Sequence, residues 1–295
     1  MAFFSTKKII GLTILVWFGF MVVIWFPELV PIFKSKRAID KGIYRLEADD
    51  FKGNSSLHKD AVHVCITSDE NTLGGMIALI NSIYSNTKHP VFFHLVVDEA
   101  SLDHLRIWIE TTKLRDIHYQ IKIFPENWVN GKIKVWSGRQ DLAKPNNYAD
   151  YIDFKSQHVK EMKIDPLECA FNAGVFVADL DLWRKYNITK QLEHWLILNT
   201  KEEIYGNERA GGGSQPPLMI VFYKKYTNID PSWHVRYLGW TSGSSYTKQF
   251  VRLAKLLHWS GRFKPWGRVS QHKDIWYKYF IEDPTGKFHP VQKKN

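Results

Sequence analysis

An unbroken apolar run opens the chain, Ile9-Ile10-Gly11-Leu12-Thr13-Ile14-Leu15-Val16-Trp17-Phe18-Gly19-Phe20-Met21-Val22-Val23-Ile24-Trp25-Phe26, with Lys7-Lys8 just before it and Pro27-Glu28 closing it. At ~1.5 Å rise per residue it comes close to the ~30 Å of a bilayer's hydrocarbon core, and Trp25 and Phe26 suit the interface. A cleaved signal peptide usually has an apolar core of only ~7–15 residues and a small-residue cleavage site. No such site follows, so the pattern predicts a transmembrane signal-anchor over Ile9–Phe26, a tail over 1–8 and a polar stem over 27–60. Basic residues flank both sides, Lys7 and Lys8 on one, Lys34, Lys36 and Arg37 on the other. The charge bias therefore leaves the direction of insertion open.

After the stem the periodicity changes. Val62–Thr67 is a short apolar run of the kind that forms a buried parallel strand. Leu73, Met76, Ile77, Ile80, Ile83 and Tyr84 then fall at helical spacing. Val91–Val97 predicts a second strand, Ser101–Thr112 a helix capped by Ser101, and Tyr119–Phe124 a third strand. Strand, helix, strand, helix, strand is the order of a parallel sheet covered by helices, so the fold class is α/β. Further on, Phe171–Val177 reads as another buried strand and Ile188–Asn199 as a helix. Gly211-Gly212-Gly213-Ser214 reads as a flexible loop.

Composition changes this picture only in places. Hydrophobic residues make up 44% and charged residues 24%, which is ordinary for a globular fold. Aromatic residues reach 15%, with 12 Trp. These either line stacking surfaces for ring-shaped ligands or fill an aromatic core. The net charge of +10 gathers toward the C-terminal segment and suits phosphate or anionic lipid. No nucleic-acid motif is present, which argues against that partner. Cys65 and Cys169 are the only cysteines, too few for a disulfide framework or a zinc cluster. The sequons at Asn54 and Asn187 would suit a lumenal chain.

Ligands of open α/β sheets bind beyond the carboxyl ends of the strands. The first strand ends at Thr67-Ser68-Asp69-Glu70-Asn71, which puts a carboxylate and an amide where a nucleoside would sit. Asp69 could equally cap the following helix. There is no G-x-G-x-x-G, so a nicotinamide-type site has no support.

Four stretches resemble the family 8 glycosyltransferases, most nearly the membrane-anchored glycosyltransferase 8 domain-containing proteins. They are Ser68-Asp69-Glu70-Asn71, Ile80-Asn81-Ser82-Ile83, Phe171-Asn172-Ala173-Gly174-Val175 and His258-x-x-Gly261-x-x-Lys264-Pro265-Trp266. Asp283-Pro284-Thr285-Gly286-Lys287-Phe288 also resembles the anchored subgroup. The resemblance, from Val62 to the C-terminus, implies a single GT-A-type domain over 61–295. It also implies a Golgi type II membrane enzyme with a lumenal C-terminal domain. That enzyme would move a hexose from a nucleotide-diphosphate sugar, a UDP-sugar by preference, with retention and with Mn(2+). By matching position, His258 would be a metal ligand, and Gly261 and Lys264 would meet the diphosphate. Thr67, Asp69 and Asn71 would hold the nucleoside. Asn172 and Gln215 would be catalytic, facing the donor sugar or the acceptor. A bare reading of His258 as a satisfied buried histidine competes with this.

One part of the family pattern is missing. Leu142–Ala149 resembles the entry to the acidic D-x-D triplet that ends a central strand, and Asp150–Lys155 resembles a much later segment. The deletion near 149–150 exceeds a βαβ unit's ~30 residues and would remove a central strand. Asp179-Leu180-Asp181 has the right spacing in the wrong place, where Asp179 reads as a helix cap. Two readings therefore stand beside an active transferase: a shortened inactive product, and a membrane-tethered sugar or nucleotide binder.

Overall fold

The structure is a computed structural model that describes residues 60–124, 146–205, 213–240 and 246–291. The signal-anchor Ile9–Phe26, almost all of the stem, the Asn54 sequon and Gly211-Gly212 lie outside them. Among the described residues no helix is long and apolar enough to cross a membrane. The chain divides into two compact units, Met1–Phe124 with Pro265–Asn295, and Pro125–Lys264.

The first unit is α/β. Its parallel sheet has the order β1-β2-β3, with β1 at Val62–Ser68, β2 at Val91–Val97 and β3 at His118–Ile123. The register runs Val64↔Phe93↔Tyr119 and Ile66↔Leu95↔Ile121. Because side chains alternate across a strand, Phe93, Leu95 and Val97 turn to one face and are buried. Helix α1, Leu73–Asn86, presents Leu73, Met76, Ile77 and Ile80. Helix α2, Leu102–Glu110, presents Leu105, Trp108 and Ile109. Ser101 stands at the N-cap of α2 as expected, but its hydroxyl makes no cap bond. Its backbone is already in the helical region, and the buried hydroxyl has no partner.

The C-terminal stretch completes this unit. The helix Lys273–Tyr279 packs on α1, where Asn81 donates to the Tyr279 carbonyl at 2.6 Å. Gly74 and Gly75 make that approach possible. A Cβ on Gly74 would stand 2.2 Å from the Phe288 ring, and one on Gly75 would stand 2.8 Å from Trp266. Glycine inside a helix costs about 1 kcal/mol relative to alanine, and here it admits two aromatic rings. Trp266, Trp276, Phe280 and Phe288 interlock there with Trp108. Trp276 and Phe288 of the aromatic, basic tail are thus core.

The same stretch locks a hydrogen-bonded line. His104, 1% exposed, faces Glu70 Oε1 through Nδ1 and Asp283 Oδ2 through Nε2, both at 2.8 Å. Burial pushes the Asp283 carboxyl up. Hydrogen bonds from Phe288 N, Thr285 and His104 outweigh that and hold it below the ordinary carboxylate range.

The second unit is built differently. Among its described residues pairing is confined to single bridges, Asn147↔Cys169, Ile152↔Tyr205 and Val235↔Leu257. Helices α3 (Leu180–Lys185), α4 (Ile188–Glu202) and α5 (Gln215–Val221) surround a core that includes Tyr148, Ile152, Trp195, Tyr205 and Ile220. The 149–150 junction lies in a 3-10 turn, Tyr148–Asp150. Asn147 and Asp150 cap each other's backbone there at 3.2 and 2.9 Å. The expected strand over Phe171–Val177 is not formed. Phe176 and Val177 are 58% and 87% exposed, and the segment folds back as Asn172 Oδ1 takes the Gly174 N–H at 2.9 Å. An Asn side chain offers its own backbone an alternative to a ladder, and no neighbouring strand competes for it among the described residues.

Candidate functional site

In the first unit, β1 delivers Thr67 to its carboxyl end, where Thr67, Asp69 and Asn71 are all exposed. Asp69 is a cap. Its Oδ1 accepts from Thr72 N at 3.0 Å and Thr72 Oγ1 at 2.7 Å, closing a capping box on the turn Glu70–Thr72 that carries Asn71.

The second unit brings together most of the remaining expected residues. Two segments run side by side. Val235 O accepts from His258 N at 2.9 Å, Leu238 O from Gly261 N at 3.1 Å and Gly239 O from Phe263 N at 2.8 Å. The fit is close enough to exclude side chains. A Cβ on Gly261 would lie 2.2 Å from the Gly239 backbone, and Gly239, at φ +80°, lies against the Phe263 carbonyl. Gly174 is bare for a similar reason, since a Cβ there would meet the His258 ring at 2.3 Å and Asn172 Oδ1 at 2.9 Å. Asn172, Gly174, His258 and Gly261 thus belong to one tight assembly. Gln215 is half-buried at the start of α5 and stands outside it.

Lys264 donates from Nζ to the Trp259 carbonyl at 2.7 Å, and burial pulls its ammonium below the usual lysine range. Two of its three N–H groups remain to be donated elsewhere. His258 has a partner that sequence reasoning missed. Its Nδ1 lies 2.9 Å from His234 Nε2, and the rings stack at 5.1 Å. Burial, then His234 and Lys264, lower the His258 imidazole to about 4. Burial and Arg236 lower that of His234. Both rings are therefore neutral at physiological pH, and because one donates its N–H to the other, only the donor ring keeps a free lone pair that can bind a metal or accept a proton. No motif marked His234 in Trp233-His234-Val235-Arg236-Tyr237; only the fold pairs it with His258.

Beside the assembly is a cavity of about 110 Å³, whose walls include Tyr151, Asn172, Arg236, Tyr237, Trp240 and Ser260. Ser260 Oγ accepts from Tyr237 N at 3.2 Å and from Trp240 Nε1 at 2.9 Å.

The residues around His258 do not fit a hard dication. Such ions take oxygen ligands, chiefly carboxylates, whereas this corner offers two imidazoles beside the cations Arg236 and Lys264. Among the described residues no group of three histidines, cysteines or carboxylates could hold a metal ion. Asp179-Leu180-Asp181 is no substitute. Asp179 caps α3 through Asp181 N and Leu182 N, each at 2.9 Å, and Asp181 pairs with Arg184 at 3.0 Å.

Comparison with known proteins puts this protein among the glycosyl-transferring enzymes. It belongs to glycosyltransferase family 8: the family model described as "Glycosyl transferase family 8" matches residues 116–270. Glycosyltransferase 8 domain-containing protein 1 of Rattus norvegicus and its Homo sapiens counterpart are each 34% identical over 325 residues, covering 86% of this chain and 88% of theirs. Glycosyltransferase 8 domain-containing protein 2 of Bos taurus is 32% identical over 319 residues, covering 85% of this chain and 91% of its own. Among solved structures, the galactosyltransferase LgtC in complex with donor and acceptor sugar analogs aligns at 15% identity and a TM-score of 0.43, over 77% of this chain and all of that one. The alignments to the first two relatives run to 325 positions, whereas 86% of a 295-residue chain is only about 254 residues. Roughly 70 aligned positions therefore have no residue here.

Proposed function

We propose that this chain transfers a hexose from a nucleotide-diphosphate sugar, a UDP-sugar by family preference, to a glycan, protein or lipid acceptor with retention, on a GT-A-type framework. In this reading it is a Golgi type II membrane protein, anchored by Ile9–Phe26 with its C-terminal part in the lumen. The observation that carries the reading is the turn from His258 to Lys264. Breaking the bond between sugar and phosphate builds negative charge on the departing diphosphate. A donor already fixed in place stabilises that charge most when it is greatest. Lys264, pinned by one N–H to the Trp259 carbonyl, directs the rest of its ammonium, and Gly261 lets the Gly239 backbone close against the turn that carries it. Manganese is the family's expected cation. Because the described residues around His258 do not suit it, no step is routed through a metal.

The test incubates the full chain in detergent micelles with a panel of nucleotide sugars, in manganese and in chelator, and measures nucleoside diphosphate release. Release above that of a Lys264→Ala variant is expected, and equal release from both proteins would end the reading. Glycan on Asn54 or Asn187, read by glycosidase-sensitive mobility, is the expected sign of a lumenal domain.

A further inference from the structure

We propose that the cavity of the second unit is a subsite for a single sugar ring bearing an anionic group, a carboxylate or a phosphate, and that Arg236 selects it. The proposal rests on the transferase reading only for why a sugar should arrive there; the charge preference comes from the cavity.

Volume sets the size of the ligand. A single water needs about 10–15 Å³ of such space. At about 110 Å³ the cavity admits something the size of one pyranose ring and not an entire nucleotide sugar. The walls set its chemistry. Tyr151, Phe171, Tyr237 and Trp240 supply aromatic surface for the apolar C–H face of a pyranose, while Asn172 and Ser260 supply hydroxyl partners. Among the described lining residues Arg236 is the only charged one, and none is a carboxylate. Among the described residues Arg236 belongs to no ion pair.

The backbone sets its orientation. Tyr237 has φ +68°, a region that a bulky side chain seldom adopts and that persists only when the surroundings enforce it. Here Ser260 Oγ holds the Tyr237 N–H, and the Leu238 and Gly239 carbonyls are tied to Gly261 and Phe263. The strained turn places the Arg236 guanidinium 4.9 Å from the Tyr237 ring centre. An arginine merely lying on a neighbouring tyrosine at the surface would need neither the strain nor the cavity. A planar guanidinium carries a fork of N–H donors that matches the paired oxygens of a carboxylate or phosphate.

The experiment titrates the full chain in detergent micelles by calorimetry with glucose, glucuronate and glucose 6-phosphate, and with UDP in parallel. Glucuronate or glucose 6-phosphate should bind at least about tenfold more tightly than glucose. Tighter glucuronate identifies a carboxylate-bearing sugar; tighter glucose 6-phosphate identifies a phosphorylated one. In Arg236→Gln the preference should vanish with glucose affinity unchanged, and Arg236→Lys should restore part of it. Should Arg236→Gln fail to fold, wild-type salt dependence decides, since rising ionic strength should weaken the anionic sugars and spare glucose. Equal affinities, no binding by any of the three sugars, or an anion preference that survives Arg236→Gln would overturn the proposal. So would a variant that loses UDP affinity while its sugar preference is intact, because Arg236 would then serve the donor. A chain that binds glucuronate but not UDP contradicts the transferase reading and supports this one.

Discussion

Every residue of β1 meets a partner in β2, from Val62↔Val91 to Ser68↔Val97, whereas in the second unit Asn147 meets Cys169 and Ile152 meets Tyr205 at single bridges. The first unit draws its regularity from backbone ladders and the second from side chains. Asn147, Asp179 and Asn172 each satisfy nearby N–H groups that a ladder would otherwise take. Buried backbone groups must be paired somehow. The contrast shows the second unit meeting that demand locally. The candidate diphosphate turn does the same, because its bonds lie within residues 234–264.

The comparison can be broken most sharply in the first unit. His104→Leu leaves the buried Asp283 carboxylate without one of its hydrogen-bond partners, a type of loss that costs about 1–3 kcal/mol and more for a charged group. The expected result is a lower denaturation midpoint for probes in residues 60–124, read by hydrogen exchange. A midpoint within error of wild type would mean that the hydrogen-bonded line contributes little.

Next come the glycines. Gly261→Ala drives a methyl into the Gly239 backbone, whereas Gly75→Ala meets the edge of the Trp266 ring. Overpacking costs about 1–3 kcal/mol, and the backbone collision should fall at the upper end because it cannot relax by a rotamer change. Thermal unfolding of the two variants should rank Gly261→Ala below Gly75→Ala. Asp179→Ala, the loss of one cap, should cost about 1 kcal/mol by denaturant titration.

Acid gives a finer distinction. The half-buried His258 and His234 imidazoles titrate below an unfolded histidine's ~6.5. Protons therefore favour the unfolded second unit. The stability these rings contribute is complete above about pH 6.5 and is lost as pH falls, for His258 toward its folded value of about 4. A His234→Gln, His258→Gln double variant should flatten that part of the pH profile, measured by circular dichroism in urea.

How far the sequence revealed all this follows the same contrast. The β1, β2 and β3 runs, α1, α2 and α4 were legible because each declares itself through local periodicity. The caps at Asp69 and Asp179 were legible because capping chemistry is local too. Phe171–Val177 was misread, since an apolar run becomes a strand only if another strand stands beside it. Ser101 was misread as a side-chain cap because position alone cannot show where a hydroxyl points. His258, Gly261 and Lys264 were found through their shared motif. His234 and Arg236 were not, because their significance comes from residues more than twenty positions away. The link from His104 to Asp283 spans 179 positions and had no local signal.

The C-terminal closure of the first unit has a consequence for biosynthesis. Gly74, Gly75 and His104 emerge early from the ribosome, but Trp266, Asp283 and Phe288 come last. The sheet must wait, with its helices partly uncovered, while the entire second unit is made. Closing so long a loop is slow, and apolar surface left exposed meanwhile invites aggregation. A premature stop between Lys264 and Phe288 would therefore strand a completed second unit on an unfinished first one.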